Sequence, residues 1–284
     1  MYKNITITGF SDEISKTITE QFEHLNYLGI KYFDPRGVDG VNISDLTDEE
    51  AEALKKKMDS YGIKAACIGS PIGKIQITDD FEEHLEKLKR TIKIAKKLGT
   101  KYIRIFSFYI PGGEFDKYRD EVMLRMRKMA DVAEEEDVVL LHENEKDVYG
   151  DVAVRCKDIF DTVNSPALGC IFDPANFVQC GQSVFPETFE ILKPHIKYLH
   201  IKDAKADGAV VPAGKGDGSV AEVISNLLKD GFTGFACLEP HLGSFEGLAA
   251  LELEDTMLKL EKSDSSKFTL AYNSLCEILD ALDA

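Results

Sequence analysis

The stretch IKYLHIKDAK, from Ile196 to Lys205, begins as a strand and ends in charged chemistry. Tyr198, His200 and Lys202 occur at every second position, as the side chains on one face of a β-strand do. A structural strand usually ends in turn residues such as Gly, Asn or Pro. This one ends in an imidazole, an ammonium and a carboxylate, so the stretch predicts a strand whose C-terminal tip carries ligand or acid–base chemistry.

Similar strands alternate with helical patterns along the chain, at a period of roughly 30 residues, the size of a β-plus-α unit. The helix after the second strand is predicted to open with a capping box at Thr47 and Glu50, and the helix after the seventh with one at Ser219 and Glu222. The last helix of the series is predicted over about residues 246–262. The predicted strands are NITITGF, IKYFDPR, KAACIGS, KYIRIFSF, VVLLHENE, LGCIFDPANF, the opening stretch and GFACLEPH.

Strict alternation of this kind implies right-handed crossovers and parallel pairing. Eight units in a chain of 284 residues predict an α/β protein with a (β/α)8 TIM barrel over residues 1–262. A doubly wound open sheet is the alternative, but GFSDEI after the first strand is not the Gly-rich loop that such a sheet normally carries. Residues 263–284 contain an apolar stripe and predict an extra C-terminal helix, on the outside of the barrel or in a homo-oligomer contact.

Composition narrows the choice of partners. A net charge of −16 opposes non-specific binding to nucleic acid or anionic membranes, whose affinity comes from Lys and Arg. The longest apolar runs are far shorter than the roughly 20 residues of a spanning helix, and MYKNITITGFSDE lacks the features of a signal peptide. The six cysteines form no CxxC pair, which fits reduced thiols. We therefore expect a cytoplasmic protein that acts on a small molecule.

One ligand-type residue follows the apolar run in each of the last four strands. In LLHEN, CIFDP, YLHIKD and CLEPH these residues are Glu143, Asp173, His200 and Glu239. Each shares its parity with an apolar residue two positions earlier, as inward-facing positions of a barrel require, whereas His142 has the other parity and should face the helices. Because chemistry in a (β/α)8 barrel lies at the C-terminal strand ends, the four side chains are predicted to converge.

Three carboxylates and one imidazole at one point would repel each other as bare charges, and a divalent cation resolves this conflict. The oxygen-rich set suits Mn²⁺ or Mg²⁺, and the imidazole also admits Co²⁺ or Zn²⁺. Singly, each residue has an ordinary explanation. Asp before Pro starts turns, a Glu at the rim forms salt bridges, and a lone His is usually structural. Four on consecutive strands at matching depth favour a metal site.

In these motifs the sequence resembles the xylose isomerase-like barrel superfamily, the sugar phosphate isomerase and epimerase group. The resemblance covers about residues 4–262 and rests on HEN, FDPANF, HIKDA, PAGKGDG and LEPH in that order. It implies that Glu143, Asp173, His200 and Glu239 bind the metal, and that Glu143 and Glu239 are also the catalytic acid–base pair. Two departures stand out: Asn176 replaces a His that is frequent in the epimerase branch, and HIKD resembles members near the inosose dehydratases.

The expected reaction begins with removal of a proton next to the carbonyl of a sugar, an inosose or a sugar phosphate, giving an enediolate. Return of the proton gives an isomerase or epimerase, and loss of a β-hydroxyl gives a dehydratase-like lyase. Lys202, His241, Lys74 and Asn176 are the candidate substrate-binding residues. Arg104 lies in mid-strand, where a buried ion pair is the expected role.

Asp203 has the parity opposite to His200 and is interpreted as a cap for the loop that follows. The GKGDG loop could cradle a phosphate through its backbone N–H groups. Two other functions compete with a sugar enzyme. An endonuclease-four-type nuclease needs more histidine ligands and a basic surface, which six His and the acidic charge argue against. A non-catalytic sugar-binding barrel would not need both Glu143 and Glu239.

Overall fold

A computed structural model of the chain describes residues 2–244 and 262–282. The eight barrel strands are β1 (Ile5–Gly9), β2 (Tyr32–Phe33), β3 in two segments (Lys64–Ala65 and Cys67–Ile68), β4 (Tyr102–Ile105), β5 (Val139–Glu143), β6 (Leu168–Phe172), β7 (Ile196–Ile201) and β8 (Gly234–Leu238). The helices are α1 (Ile18–Tyr27), α2 (Asp48–Tyr61), α3 (Phe81–Leu98), α4 (Phe115–Glu135), α5 (Ala153–Val163), α6 (Pro174–Gln179), α7 (Phe189–Leu192), α8 (Val220–Lys229) and α9 (Ser265–Ala281). The helix predicted over about residues 246–262 lies outside the described residues, except for its last residue, Lys262.

The strands form a closed parallel barrel. Seven of them pair in the order β1-β8-β7-β6-β5-β4-β3, with every neighbouring pair parallel. The short strand β2 pairs in parallel with the first segment of β3, and the N–H of Asp34 donates to the carbonyl of Gly9 at 3.0 Å. Strand β2 therefore links β3 to β1, and the predicted TIM barrel is confirmed.

Two layers of core follow from strand alternation. The inward-facing cluster is buried inside the barrel and contains the predicted parity partners Leu141, Ile171, Tyr198 and Cys237. A larger apolar cluster fills the space between the strands and the helices. His142 lies in this outer layer as predicted, with Nε2 2.9 Å from Ser107 Oγ.

The two predicted capping boxes have different outcomes. Thr47 and Glu50 form theirs, with the Thr47 hydroxyl accepting from the Glu50 N–H at 3.2 Å and the Glu50 carboxylate from the Thr47 N–H at 2.8 Å. The box predicted at Ser219 and Glu222 is wrong. Ser219 has a φ of 49° in the left-handed region, and its hydroxyl caps no N–H of α8. An N-cap side chain needs extended backbone, which the preceding loop does not allow.

The sixth strand is shorter than predicted. It ends at Phe172 because Asp173 is the N-cap of α6, accepting from the Asn176 N–H at 2.9 Å, and Pro174 is the first helical residue. Proline suits this position because its fixed φ is helical and its missing N–H would be unpaired there anyway. The boundary matters for the site, since it turns the chain immediately after Asp173.

Helix α9 packs on the outside of the barrel. Phe268 is fully buried, and a Cβ at Gly9 would lie 2.7 Å from its ring. Leu275 and Leu279 of the predicted stripe are also fully buried, so this face of the helix covers the barrel. Among the described helices, none has the length and apolar character that a bilayer crossing requires.

Candidate metal centre

The four predicted ligands converge at the C-terminal mouth of the barrel. Glu143 is the last residue of β5, Asp173 follows β6, His200 is the fifth residue of β7, and Glu239 follows β8. One ligand atom from each lies within 4.8 Å of those of the other three, and all four residues are buried. The parallel barrel brings them together because its strands all end at the same rim.

His200 joins the two glutamates. Its Nδ1 atom lies 2.8 Å from Glu143 Oε1 and 3.0 Å from Glu239 Oε2. Burial alone would lower the pKa of His200, but the two carboxylates raise it to about 10. In the metal-free chain the imidazole therefore carries a proton between the glutamates, at the point where a metal ligand would have to release it.

Among the three candidate carboxylate ligands, Asp173 is the one whose ionised form is disfavoured by its surroundings. Burial, reinforced by the carboxylates of Glu239 and Glu143, raises the pKa of Asp173 to about 7, although Lys202 acts in the opposite direction. Lys202 Nζ lies 3.1 Å from Asp173 Oδ2, yet this oxygen has no hydrogen-bond partner of good geometry among the described residues. A buried carboxylate oxygen of this kind, aimed into a cluster of ligand atoms, is what a cation site needs.

Two buried arginines form ion pairs with the glutamates. Arg104 Nη1 lies 3.0 Å from Glu143 Oε2 and 3.7 Å from Glu239 Oε1, which confirms the ion pair expected for this mid-strand residue. Arg36 Nη1 lies 3.4 Å from Glu239 Oε1. Both guanidinium groups stack on the ring of Phe10, at 4.7 and 4.2 Å from its centroid.

The ion-pair network around the glutamates contains more carboxylates than cationic side chains. Arg36 also binds Asp12 and Glu13. Among the residues that the structure describes, the connected network therefore contains five carboxylates and three side chains of fixed positive charge, Arg36, Arg104 and Lys202. With all five carboxylates ionised and His200 protonated, one negative charge is in excess, and release of the imidazole proton to a metal raises the excess to two. A divalent cation supplies the missing charge, and the donor set of one imidazole and three carboxylates fits a hard metal such as Mn²⁺ or Mg²⁺.

The candidate substrate-binding residues lie at different distances from this cluster. Lys202 is within it, and His241 borders it, with Nε2 3.3 Å from Glu239 Oε1 and 3.6 Å from Glu13 Oε1. Lys74 pairs with Glu145 at 3.1 Å and stands 4.5 Å above the ring of Phe106. The structure thus brings Lys202 and His241 together with the ligands and places Lys74 beside Glu145.

Asn176 forms hydrogen bonds to both Asn144 and Asp173. Its side-chain amide donates to the carbonyl of Asn144 at 2.8 Å, and its backbone N–H donates to Asp173 Oδ1 at 2.9 Å. Asn144 in turn exchanges two hydrogen bonds with the backbone of Asp173, each 3.0 Å long. These contacts lock the ends of β5 and β6 together, and they fix the direction of the Asp173 carboxylate.

Asp203 caps the glycine-rich loop, as interpreted from the sequence. Its carboxylate accepts from the N–H groups of Gly214, Gly216 and Gly218 at 2.9, 3.0 and 2.8 Å. Because these amides already bind a carboxylate of the protein, they do not form a phosphate cradle. A side chain at Gly216 would collide with Asp203, which explains why the loop needs glycine there.

Sequence reasoning missed the residues contributed by the first two barrel units. Asp34 and Arg36 follow a strand of only two residues, too short for an alternation signal. Glu13 lies in a single turn after β1 and accepts from the backbone N–H of His241 at 2.8 Å. The only hint in the sequence was their position: Asp34 and Arg36 lie at the C-terminal end of the predicted strand IKYFDPR, and Glu13 follows the predicted strand NITITGF, where a barrel places functional residues.

Comparison with known proteins gives the family. The sequence profile of the xylose isomerase-like TIM barrel matches residues 22–259. The chain belongs to this family. A comparison with curated proteins gives no match. Family membership agrees with the barrel and with the four ligand-type residues at its mouth.

Solved structures confirm the fold. A D-tagatose 3-epimerase-like protein superposes with a TM-score of 0.75 at 17% identity, covering 98% of each chain. The probable 3-DHS dehydratase AsbF of Bacillus anthracis gives a TM-score of 0.68 at 20% identity, covering 84% of this chain and 92% of its own. A xylose isomerase-like barrel protein from Mycobacterium smegmatis, solved with magnesium, gives 0.67 at 19%, covering 97% and 100%. At these identities the likeness concerns the fold.

Proposed function

We propose that the protein is a divalent-metal-dependent sugar isomerase or epimerase that removes a proton next to a carbonyl. The observation that carries the proposal is the buried cluster of Glu143, Asp173, His200 and Glu239, whose ligand atoms lie within 4.8 Å of one another. In the described part of the ion-pair network around it, five carboxylates face three side chains of fixed positive charge. When bound there, Mn²⁺ or Mg²⁺ would act as a Lewis acid that stabilises the enediolate of the substrate.

Glu143 and Glu239 are the proposed proton carriers. Glu143 is the last residue of β5 and Glu239 follows β8. These strands are separated in the barrel by β6 and β7, so the two side chains approach the centre from different directions. Glu239 contacts Arg36, Arg104 and Lys202, whereas Arg104 is the only one of these three cations that contacts Glu143. A carboxylate with fewer cationic neighbours has a higher proton affinity. Glu143 is therefore the proposed base that removes the proton, and Glu239 the group that returns it.

A dehydratase-like lyase is the second candidate, and Lys202 is the observation that favours it. Its ammonium is buried between Asp173 and Glu239, and these carboxylates raise its pKa well above the ordinary value although burial opposes this. A fixed ammonium at the centre can donate a hydrogen bond to a departing β-hydroxyl or to a developing oxyanion. The same proton removal by Glu143 would precede either outcome.

Metal content tests the site. The purified protein is stripped, titrated with Mn²⁺, and measured by mass spectrometry and calorimetry, alongside Glu239→Gln and the matched control Glu145→Gln. Glu145 lies two residues beyond Glu143 and pairs with Lys74. We expect one equivalent in the wild type and the control, and a large loss of affinity in Glu239→Gln. A wild-type protein that takes up no metal would overturn the proposal.

The reaction is tested by proton exchange. Ketoses, inososes and their phosphates are incubated with the metal-loaded protein in D₂O, and products are identified by NMR. Exchange of the α-proton is expected for the true substrate, and its loss in Glu143→Gln with retained binding would support Glu143 as the base. An epimer or isomer as product supports the first candidate, and an unsaturated product supports the second. Turnover without any exchange would contradict the enediolate route.

A further inference from the structure

The two ring nitrogens of His200 have different surroundings. Nδ1 is turned to Glu143 and Glu239 at 2.8 and 3.0 Å, but Nε2 is buried and has no hydrogen-bond partner among the described residues. An imidazole that binds a metal through one nitrogen carries its proton on the other. A buried N–H without an acceptor is costly, so the Nε2 side of the ring requires a partner.

Asp34 lies beside this ring. One carboxylate oxygen of Asp34, a ring nitrogen of His200 and the Cys237 thiol lie within 4.8 Å of one another, and all three residues are buried. Cys237 is the register neighbour of His200 and lies two residues before Glu239, one step deeper in the barrel. Because Nδ1 already faces the glutamates at the mouth, we place Nε2 on the deeper side, towards Asp34.

The Asp34 carboxylate is held rigidly. Its Oδ1 accepts from the Thr8 hydroxyl at 2.8 Å, and the Tyr198 hydroxyl lies 2.8 Å from both carboxylate oxygens. The three residues come from β1, the end of β2, and β7. In the described part of the chain no Lys or Arg pairs with Asp34, although it is 1% exposed. A buried carboxylate without a cationic partner carries a large desolvation cost, unless hydrogen-bond donors around it offset that cost.

We propose that Asp34 is a positioning residue of the metal centre, whose carboxylate accepts a hydrogen bond from the Nε2–H of His200 and so keeps Nδ1 aimed at the metal. The inference rests on the proposed function, since it assigns the second partner of a metal ligand. In the metal-bound protein, a small rotation of the ring or one bridging water would close the remaining gap between Nε2 and the Asp34 carboxylate. Carboxylates behind metal-binding histidines fix the tautomer and raise the basicity of the ligand.

The test is metal affinity in Asp34→Asn. The amide keeps the size of the side chain and one acceptor for Thr8 and Tyr198, but it turns a donor towards the imidazole N–H. We expect the Kd for Mn²⁺ to rise about 10- to 100-fold at unchanged stoichiometry. In the Zn²⁺-loaded protein, ¹H–¹⁵N NMR should show a slowly exchanging Nε2–H of His200 in the wild type, and its rapid exchange in Asp34→Asn.

Thr8→Val is the matched control, because it removes one hydrogen bond to Asp34 and keeps the carboxylate; its Kd should change less than about threefold. If Asp34→Asn binds Mn²⁺ like the wild type but its metal-free form melts at a lower temperature, Asp34 is merely structural and the inference is overturned. Two bound equivalents, one of them lost in Cys237→Ser, would also overturn it. If the wild type binds no metal, the proposed function itself has failed, which is a distinct result.

Discussion

The ammonium of Lys202 lies 3.1 Å from Asp173 Oδ2 and 3.4 Å from Glu239 Oε2, and only 3% of the lysine side chain is exposed. Both carboxylates belong to the proposed ligand set. Lys202 therefore neutralises the same oxygens that a metal would bind. A fixed positive charge at this distance from a cation lowers the affinity for that cation, because charges interact strongly in a buried site.

Lys202→Met should accordingly bind Mn²⁺ more tightly than the wild type, by about tenfold. Its turnover should fall, because the substrate loses the buried ammonium of Lys202. The comparison is a calorimetric titration of the stripped proteins, with Lys74→Met as the control, since Lys74 pairs with Glu145 rather than with a ligand. Weaker metal binding in Lys202→Met would show that the lysine supports the metal instead of competing with it.

Arg104 offers a test that separates charge from packing. It is 2% exposed, pairs with Glu143, and stacks on Phe10 and Phe106. Arg104→Met keeps much of the packing but removes one of the two cationic groups that, in the described part of the chain, contact the buried Glu143 carboxylate, the other being His200. The metal-free protein should therefore lose up to about 3–5 kcal/mol of unfolding free energy. Saturating Mn²⁺ should restore part of this loss, because it neutralises the same glutamate. Urea unfolding with and without metal measures both quantities, and an equal loss in the two conditions would mean that packing dominates.

The sequence predicts the part of the site that local alternation controls. Glu143, Asp173, His200 and Glu239 each end a strand long enough to show which face points inward, so their convergence follows from the barrel. Arg36 does not follow, because β2 has two residues and its partner Glu239 lies 203 positions away. The failed cap at Ser219 has a similar cause. Its backbone follows a loop whose Gly218 N–H is held by Asp203. The sequence indicates that Asp203 caps this loop, but it does not indicate the left-handed φ that results at Ser219.

His84 should give the protein a pH-dependent stability. Its imidazole accepts from the Gly73 N–H at 2.7 Å, and burial, assisted by Lys87 and Arg125, lowers its pKa from 6.5 to about 4. Because the folded-state pKa is the lower one, the unfolded chain binds the extra proton between these values. The contribution is fully present above pH 6.5 and is lost as the pH falls towards 4, by roughly 3 kcal/mol.

The measurement is urea unfolding of the wild type and of His84→Gln at several pH values between 7.5 and 4.5. Glutamine keeps an acceptor for Gly73 but does not titrate. The wild type should be the more stable protein at pH 7.5, and the difference should shrink as the pH falls. Other titrating groups, including His142, cancel in this difference. A difference that stays constant over the whole range would mean that His84 is not buried as the neutral imidazole.

Asp203 should be essential for the loop and dispensable for the metal. Its carboxylate binds three glycine N–H groups, and hydrogen bonds to a charged group are worth about 1.5–3 kcal/mol each. Asp203→Asn loses the charge and one of the two acceptor oxygens, so we expect a loss of about 2–4 kcal/mol in unfolding free energy, while the Kd for Mn²⁺ stays within a factor of two. The control is Asp217→Asn in the same loop, where an exposed carboxylate accepts from the Ala206 N–H at 2.7 Å and little stability should be lost. If Asp203→Asn instead weakened metal binding as strongly as Glu239→Gln, the loop and the metal centre would have to be one cooperative unit. The division of roles between His200 and Asp203, whose opposite parity turns them to opposite faces of the chain, would then be wrong.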